Sequence, residues 1–259
     1  MCPHCRAFIT AADRVCPYCK ETINARAVDR NSATDMLMGF IPNARFVTVI
    51  IIFVNLALFA GEKMIGSNAL TSAGAESGVL VRAYGQWYRL ITAGYLHGGL
   101  LHIGMNMWVL YDLGAQVEEV YGQARMFVIY TAATALGFAA SALFHPGVPS
   151  LGASAGLFGL IGAMIALGVR NYNGAGRSIR AVYIRWAIYG LLFGLLPGVD
   201  NTAHLGGLVA GFAAGFLAET PGPSRSALEQ AWRVAAGACL LISIFCFYRM
   251  YLHLTATAV

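Results

Sequence analysis

The chain has 259 residues, of which 58% are hydrophobic and only 11% are charged, whereas soluble domains carry about 25% charged residues. With a mean hydropathy of +0.63, a soluble globule of this size could not cover its surface with so few charges. The composition therefore excludes an ordinary cytosolic enzyme and a disordered protein, and it predicts an integral membrane protein. The net charge of +5 does not indicate nucleic-acid binding, because cations at the cytoplasmic ends of membrane helices give the same excess.

The N-terminal segment, residues 1–22, contains four of the six cysteines. Four thiolates in two Cys-Pro-x-Cys knuckles have a spacing that suits a tetrahedral Zn²⁺. A segment of ~20 residues buries too little core to fold alone, so the metal would supply the folding energy. We therefore predict a zinc-ribbon-like module with structural Zn²⁺ as its cofactor and with the ligands Cys2, Cys5, Cys16 and Cys19. Two disulfides or an iron site are the alternatives, and a structural or adaptor role, with a cytoplasmic partner, is the function we expect.

A polar linker, residues 23–44, separates this module from the apolar body of the chain. Uncharged runs in that body predict membrane spans, which need about 20 mostly apolar residues each. The longest run, 126–169, is too long for one helix and is broken by the sequence His145-Pro-Gly-Val-Pro149. The runs are 46–61, 90–111, the two halves of 126–169, 186–199, 201–218 and 234–248. They predict an all-α polytopic membrane protein, with a six-span domain over 45–218 and one extra transmembrane helix in 219–259.

The distribution of Lys and Arg predicts the orientation of these spans. If the N-terminus is cytoplasmic, 13 of the 17 cationic residues fall on the cytoplasmic side and four on the outer side. Such a bias is typical of the cytoplasmic loops of membrane proteins. The same orientation places the cysteine module in the reducing cytoplasm, which favours a metal over disulfides.

Five polar residues interrupt the apolar spans: His97, His102, Asn106, Ser154 and His204. Ser154 follows the proline-rich break and His204 begins the sixth span, so all five would lie at a similar depth below the outer surface. Each alone could be a packing residue or an interfacial anchor. Polar residues in membrane spans are costly and usually functional, and five at one depth favour a site.

The residue types in this group suit acyl-transfer chemistry. Ser154 could be activated as a nucleophile by a neutral His204. His102 and Asn106, four residues apart on one helix face, could stabilise an oxyanion together with the Ser154 backbone N–H. Small residues four apart, Gly207 and Gly211 in one span and Ala155, Gly159 and Ala163 in another, would let the two helices approach closely.

Three motifs together give the chain a resemblance to a known family. They are Trp87-Tyr88-Arg89-Leu90 through His97-x4-His102-x3-Asn106, Gly152-x-Ser154, and Ala203-His204-x2-Gly207-x3-Gly211. The set resembles the rhomboid family of intramembrane serine proteases over residues 45–218. The resemblance implies a rhomboid-like helix bundle of six core spans, here with a seventh at the C-terminus.

The resemblance also implies roles for single residues. It makes Ser154 the nucleophile and His204 the general base of a dyad that needs no acid, so Asp200 would not be a third member. His102 and Asn106 fall on the oxyanion-stabilising positions. The residues expected to support the site are His97, Gly152 and Phe158, the last by packing on the catalytic histidine. Glu118 matches a carboxylate that ties helix ends together, and Ala155 departs from the glycine usual in the family.

The function that follows from the resemblance is cleavage of transmembrane-helix substrates within the lipid bilayer. We expect a prokaryotic cell membrane, a site near the outer face, no nucleic-acid partner and no cofactor for catalysis. One alternative is a proteolytically inactive rhomboid-like adaptor that binds client helices. Another is a transporter or channel with a zinc-ribbon sensor, which would need polar residues through the whole membrane.

Overall fold

The computed structural model describes residues 15, 16, 18–20, 45–66, 68–171, 174–221 and 226–257. The chain divides into two units, Met1–Phe40 and Ile41–Val259. In the first unit, the backbone N–H of Lys20 donates to the carbonyl of Cys16 at 3.0 Å, and Cys16 is buried. The other knuckle, with Cys2 and Cys5, lies outside the described residues, as does most of the linker, so the zinc site stays a prediction. Within the part of the chain that is described, no cluster of three or more potential ligands could hold a metal.

The second unit is built of helices, numbered here in chain order. They are α1 Phe46–Ile65, α2 Ala69–Gly74, α3 Gly78–Ala83, α4 Arg89–Thr92, α5 Leu100–Val109, α6 Ala115–Phe144, α7 Ser154–Arg170, α8 Gly174–Phe193, α9 Asn201–Ala218 and α10 Ser226–Thr257. A 3₁₀ turn, Ala93–Tyr95, follows α4, and a π-helical turn, Leu110–Gly114, joins α5 to α6.

Three stretches of the described chain are long and apolar enough to cross a membrane. They are Phe46–Ile65, Leu100–Phe144 and Ala227–Ala256. The second has 45 residues and would be ~67 Å long if straight, about twice the thickness of the hydrocarbon core. Gly122 has non-helical dihedral angles (φ 78°, ψ 163°) inside it, so the stretch is two helices that meet at Gly122.

The structure differs from the predicted second span. The run 90–111 was expected to form one helix, but the helix begins only at Leu100 and continues beyond Asp112. Gly98 and Gly99 precede Leu100 and favour an irregular approach to the helix. The charge that ended the uncharged run does not end the helix, because the Asp112 carboxylate is exposed and accepts from the amide of Gln116 at 3.1 Å.

Glu118 shows how one such carboxylate is accommodated. It is 2% exposed and binds the first turn of α1, which has unpaired N–H groups. One oxygen accepts from the N–H of Val47 at 3.0 Å, and the other accepts from the N–H and hydroxyl of Thr48 at 2.9 and 2.8 Å. Glu118 therefore ties the start of α1 to α6.

Helix α7 forms the centre of the bundle. Every residue from 155 to 164 is buried, and the helix packs against α6, α8 and α9. A helix that is apolar on all faces and enclosed by others is typical of a bundle core. The N-terminus of this central helix carries Ser154, so the bundle fixes that residue from several sides.

Helices α7 and α9 approach each other through their small residues. A Cβ atom at Gly207 or at Gly211 would overlap the backbone carbonyl of Ala155 or of Gly159. Only glycine allows backbones to come this close. The contact aligns the first turn of α9 with the first turn of α7.

The long C-terminal helix α10 is held by an ion pair whose arginine is buried and whose glutamate is partly exposed. Arg125 on α6 is 2% exposed and binds both oxygens of Glu229 on α10 at 2.7 and 2.8 Å. Its Nε atom also donates to the carbonyl of Ala218 at the end of α9 at 3.0 Å. One guanidinium group thus joins three helices.

Candidate active site

The site is formed where α7 and α9 begin. Ser154 is the first residue of α7, and His204 lies in the first turn of α9. The Nε2 atom of His204 is 2.9 Å from the Oγ atom of Ser154. His204 is 5% exposed, so the pair is sheltered between the two helices.

Asn201 determines which nitrogen of His204 faces the serine. Its Nδ2 group donates to the carbonyl of Leu191 at 3.1 Å, which turns its Oδ1 atom towards Nδ1 of His204 at 3.2 Å. Because Oδ1 can only accept, Nδ1 carries the proton of the neutral ring and Nε2 keeps a lone pair. The hydroxyl of Ser154 can then donate to Nε2.

Asn201 is not among the residues that the sequence predicts for the site. Only its position could have indicated a role at the site. It lies three residues before His204 at the start of a predicted helix, and side chains three residues apart share one helix face.

Phe158 packs on the ring of His204. The two rings are stacked, with centroids 4.3 Å apart and an interplanar angle of 14°. Gly190 of α8 lies against the tip of the Phe158 ring, since a Cβ there would be 2.6 Å from its Cζ atom. The imidazole of His204 is therefore packed on an aromatic ring that itself contacts α8.

His102 lies against the segment that leads into Ser154. A Cβ at Gly152 would be 2.6 Å from Nε2 of His102 and 3.8 Å from Oγ of Ser154, so ring and hydroxyl face the same small space. His97 lies next to it, with ring centroids 4.9 Å apart in an edge-to-face arrangement. Its Nε2 atom accepts from the N–H of Ala153 at 3.5 Å.

Asn106 lies one turn further along α5 and is buried. Its Nδ2 group donates to the carbonyl of His102 at 2.9 Å. An amide nitrogen has two N–H groups, and this bond uses one of them. The structure thus places His102 and Asn106 on one helix, with His102 adjacent to the Ser154 segment.

Asp200 acts as the N-cap of α9 and not as a partner of the His204 ring. Its Oδ1 atom accepts from the N–H groups of Thr202 and Ala203, both at 3.0 Å. Asp200 thus fixes the start of the helix that carries His204, while the ring itself bonds to Asn201.

Ala155 is accommodated by a glycine on α6. Ala155 is completely buried, and a Cβ at Gly137 would be 3.0 Å from its methyl group and 2.6 Å from the carbonyl of Ala203. The extra methyl of Ala155 therefore occupies space that Gly137 leaves open. Ala155, where the family usually has glycine, therefore packs against Gly137. Ser154 and His204 stay in contact.

The fold and the site define a class of protein: an apolar helix bundle with a serine–histidine pair between two closely packed helices. Residues 84–220, more than half of the chain, match the Rhomboid domain family. The chain belongs to the rhomboid family. It is an integral membrane protein, and the prediction of a rhomboid-type helix bundle is confirmed.

Proteins similar to this chain include one named as a protease and one named as inactive. The chain is 37% identical over 166 residues to Rhomboid protease GluP of Bacillus subtilis (64% of this chain, 32% of that protein). It is 37% identical over 153 residues to RHOMBOID-like protein 6, mitochondrial, of Arabidopsis thaliana (58% of this chain, 50% of that protein). It is 35% identical over 125 residues to Inactive RHOMBOID-like protein 8 of the same plant (48% of this chain, 36% of that protein). The chain spans half or less of the length of these three relatives.

Proposed function

We propose that the chain is an active intramembrane serine protease that cleaves transmembrane-helix substrates with Ser154 as nucleophile and His204 as general base. The observation that carries the proposal is the 2.9 Å contact between Nε2 and Oγ. A nucleophile within hydrogen-bonding reach of a base, which a third group orients, is the arrangement that activates a serine. Here the orienting group is Asn201.

In the first step, the Oγ atom of Ser154 attacks the scissile carbonyl carbon and His204 takes the hydroxyl proton at Nε2. The carbon–nitrogen bond then breaks, and the protonated His204 gives its proton to the leaving amine. The acyl-enzyme is hydrolysed by a water molecule that His204 deprotonates in the same way. The Nδ1–H group bonds to Asn201 throughout, which keeps the ring in one tautomer.

The oxyanion formed in each step needs hydrogen-bond donors. The backbone N–H of Ser154, in the unpaired first turn of α7, is one donor, and the helix dipole favours negative charge there. His102 supplies a ring N–H from across Gly152. Asn106 supplies the second N–H of its amide, since the first donates to the carbonyl of His102. His97 and Phe158 keep the two imidazole rings in place.

A cleft between α5 and α8 offers a lateral path for a substrate helix. It is lined by Trp108 and Trp186, both exposed, and by Tyr183, whose hydroxyl donates to Gln116 at 2.6 Å. An exposed aromatic cleft between two membrane helices suits an apolar helix that arrives from the lipid. The proposed substrate is therefore a transmembrane segment of another protein. The proposed orientation has a cytoplasmic N-terminus and puts the site near the outer face of a prokaryotic cell membrane.

The test combines a cleavage assay with covalent labelling. Purified protein is reconstituted in liposomes with a transmembrane substrate and is also treated with a fluorophosphonate, which reacts with activated serines and needs no substrate. We expect wild type to cleave and to be labelled, while Ser154→Ala and His204→Ala do neither, with losses of ~10³-fold or more.

Ser72→Ala, which removes an exposed serine of the α1–α5 connection, is the matched control and should behave as wild type. Labelling that is as strong in Ser154→Ala as in wild type would contradict the assignment of the nucleophile. Absence of both labelling and cleavage in wild type, with intact binding of a transmembrane peptide, would instead identify an inactive client-binding adaptor.

A further inference from the structure

Asp112 is a charged residue inside a membrane-spanning stretch, and the dyad chemistry does not use it. It lies in the π-helical turn Leu110–Gly114, within the apolar stretch Leu100–Phe144, and it is exposed. A carboxylate in such a stretch is costly, and it usually pairs with a cation or marks a functional site. Single turns of π-helix are rare and are frequently found at functional sites. The position of Asp112 therefore indicates a binding partner.

The π-helical turn directs Asp112 towards the cleft between α5 and α8. Gly114 faces α1, since a Cβ there would be 2.9 Å from the side chain of Thr48. Residues two positions apart in a helix lie on nearly opposite faces, so Asp112 points away from α1. It lines the same cleft as Trp108 and Trp186.

A short chain of hydrogen bonds orients the Asp112 carboxylate at the cleft. The hydroxyl of Tyr183 on α8 donates to Oε1 of Gln116 at 2.6 Å. The Nε2 group of Gln116 in turn donates to Oδ2 of Asp112 at 3.1 Å. Because Tyr183 binds the amide oxygen, the amide N–H groups of Gln116 face the acid. All three side chains line the cleft, so the carboxylate is part of a built polar group and not an isolated surface charge.

No lysine or arginine of the described chain pairs with Asp112. The ion pairs that join described residues involve other carboxylates. The guanidinium of Arg45 binds the neighbouring residue Tyr111 instead: its Nη1 atom donates to the hydroxyl at 2.6 Å, and its central carbon lies 4.9 Å from the ring centroid. The charge of Asp112 is therefore available to a cation from outside the chain.

The cleft suits a long cationic side chain. Its volume is about 90 Å³, which has room for a side chain but not for a helix, since a helix is about 10 Å across. Indole rings attract cations and pack on the methylene groups of lysine and arginine, which bury their stems in apolar surroundings. Trp108 and Trp186 supply the indole rings, and Asp112 supplies the opposite charge.

The distance between Asp112 and the dyad determines which substrate residue reaches the carboxylate. Asp112 is ten residues after His102, so the two lie about 15 Å apart along the helix axis. A substrate helix that lies along the cleft covers this distance in about ten residues. In the proposed orientation, Asp112 lies on the cytoplasmic side of the dyad, and membrane spans carry their excess of Lys and Arg at their cytoplasmic ends.

We propose that Asp112 is a specificity-determining residue that binds a lysine or arginine of the substrate helix, about ten residues from the scissile bond on its cytoplasmic side. The proposal rests on the proposed function, in that the cleft receives a transmembrane segment. The stem of the cationic side chain packs on the two tryptophans, and its charged end pairs with the carboxylate. This contact fixes the register of the substrate helix and so selects the peptide bond that reaches Ser154.

The test measures the binding of fluorescent transmembrane peptides to Ser154→Ala protein in liposomes, so that no peptide is cleaved. The peptides are apolar helices of about 20 residues that carry one lysine, norleucine or glutamate at one of four positions, each one helix turn apart. We expect the lysine peptide to bind ~5-fold or more tightly than the norleucine peptide at one position only. Where wild type cleaves the peptide, that position should lie about ten residues from the cleaved bond.

Three substitutions assign this preference to Asp112. Asp112→Asn keeps an oxygen that can accept from Gln116 but has no charge, so the preference for lysine should disappear. Asp112→Lys should reverse it and favour the glutamate peptide. Glu119→Gln removes an exposed carboxylate of α6 that does not line the cleft, and this matched control should retain the preference for lysine.

The outcomes separate this proposal from the proposed function. Equal affinity for the lysine and norleucine peptides at all four positions, or a preference for lysine that Asp112→Asn retains, would overturn the proposal whether or not wild type is a protease. A preference that depends on Asp112, in a protein whose wild type cleaves no peptide, would uphold the cation-binding residue and contradict the protease function.

Discussion

Gly152 shows how one residue determines the shape of the site. Its φ of 127° is a backbone angle that residues with a Cβ rarely adopt. The space that a Cβ would fill lies between the ring of His102 and the hydroxyl of Ser154, which is where the oxygen of a substrate carbonyl would lie in the proposed mechanism. A glycine is thus needed here for both the backbone turn and the access to the donors.

We expect Gly152→Ala to reduce kcat/KM by ~10²-fold, because the new methyl group blocks the oxyanion position. The strained φ should also cost about 1–2 kcal/mol of stability. The measurements are cleavage kinetics and unfolding in detergent. Gly147→Ala is the matched control in the same connection between α6 and α7: a Cβ there would meet nothing within 4 Å, and both quantities should stay unchanged. Wild-type kinetics in Gly152→Ala would show that the substrate oxygen lies elsewhere.

At the scale of elements, the contact of α7 with α9 holds the two dyad residues together. Gly207 and Gly211 lie on the face of α9 that touches the backbone of Ala155 and Gly159. A helix-forming residue such as alanine would favour the isolated helix by up to about 1 kcal/mol over glycine. The close contact reverses this preference, because an added methyl group has no room.

Gly211→Ala should destabilise the folded bundle by about 1–3 kcal/mol through overpacking and should lower kcat by moving His204 away from Ser154. The unfolding midpoint in detergent and the rate of fluorophosphonate labelling report the two effects. Gly237→Ala on α10, where a Cβ would meet nothing within 4 Å, is the matched control. If Gly211→Ala were as stable and as reactive as Gly237→Ala, the close contact would not be what aligns the dyad.

Helix boundaries were the part of the fold that the sequence predicted least well. The break near His145 was visible because prolines and glycine follow it, and α6 does end at Phe144. The start of the second span was misplaced at residue 90, since Ala93–Leu96 is as apolar as the helix beyond it. Its end was misplaced as well, because Asp112, which ends the uncharged run, is exposed within the helix and accepts from Gln116, so its charge does not interrupt the helix.

At the scale of the whole molecule, the uncharged polar residues predicted where a site would form, and the motifs predicted the family. Spacing alone indicates that His102 and Asn106 share a face, and the structure places His102 beside the Ser154 segment; their roles in catalysis stay predictions. Asn201 was not among the predicted site residues, because an asparagine before a helix has no distinctive pattern. Its importance arises only when α8 and α9 come together, since it bonds both to Leu191 and to His204.

The N-terminal unit is the part of the molecule whose chemistry still rests on spacing. Its thiols at Cys2, Cys5, Cys16 and Cys19 form a donor set that suits a structural Zn²⁺, which would supply tetrahedral cross-linking of a short chain. We expect about one zinc per chain in purified protein by elemental analysis. We also expect loss of that zinc below about pH 5, because protons compete for the thiolates.

Cys16→Ser should remove the zinc, whereas Cys239→Ser, in the transmembrane helix α10, should retain it as the matched control. The two variants each lose one thiol, so a difference between them assigns the metal to the knuckles and not to cysteine content. A purified protein that contains no zinc, in which the four N-terminal cysteines resist alkylation until a reductant is added, would show that they form disulfides instead. Equal zinc in both variants would place the metal elsewhere in the chain.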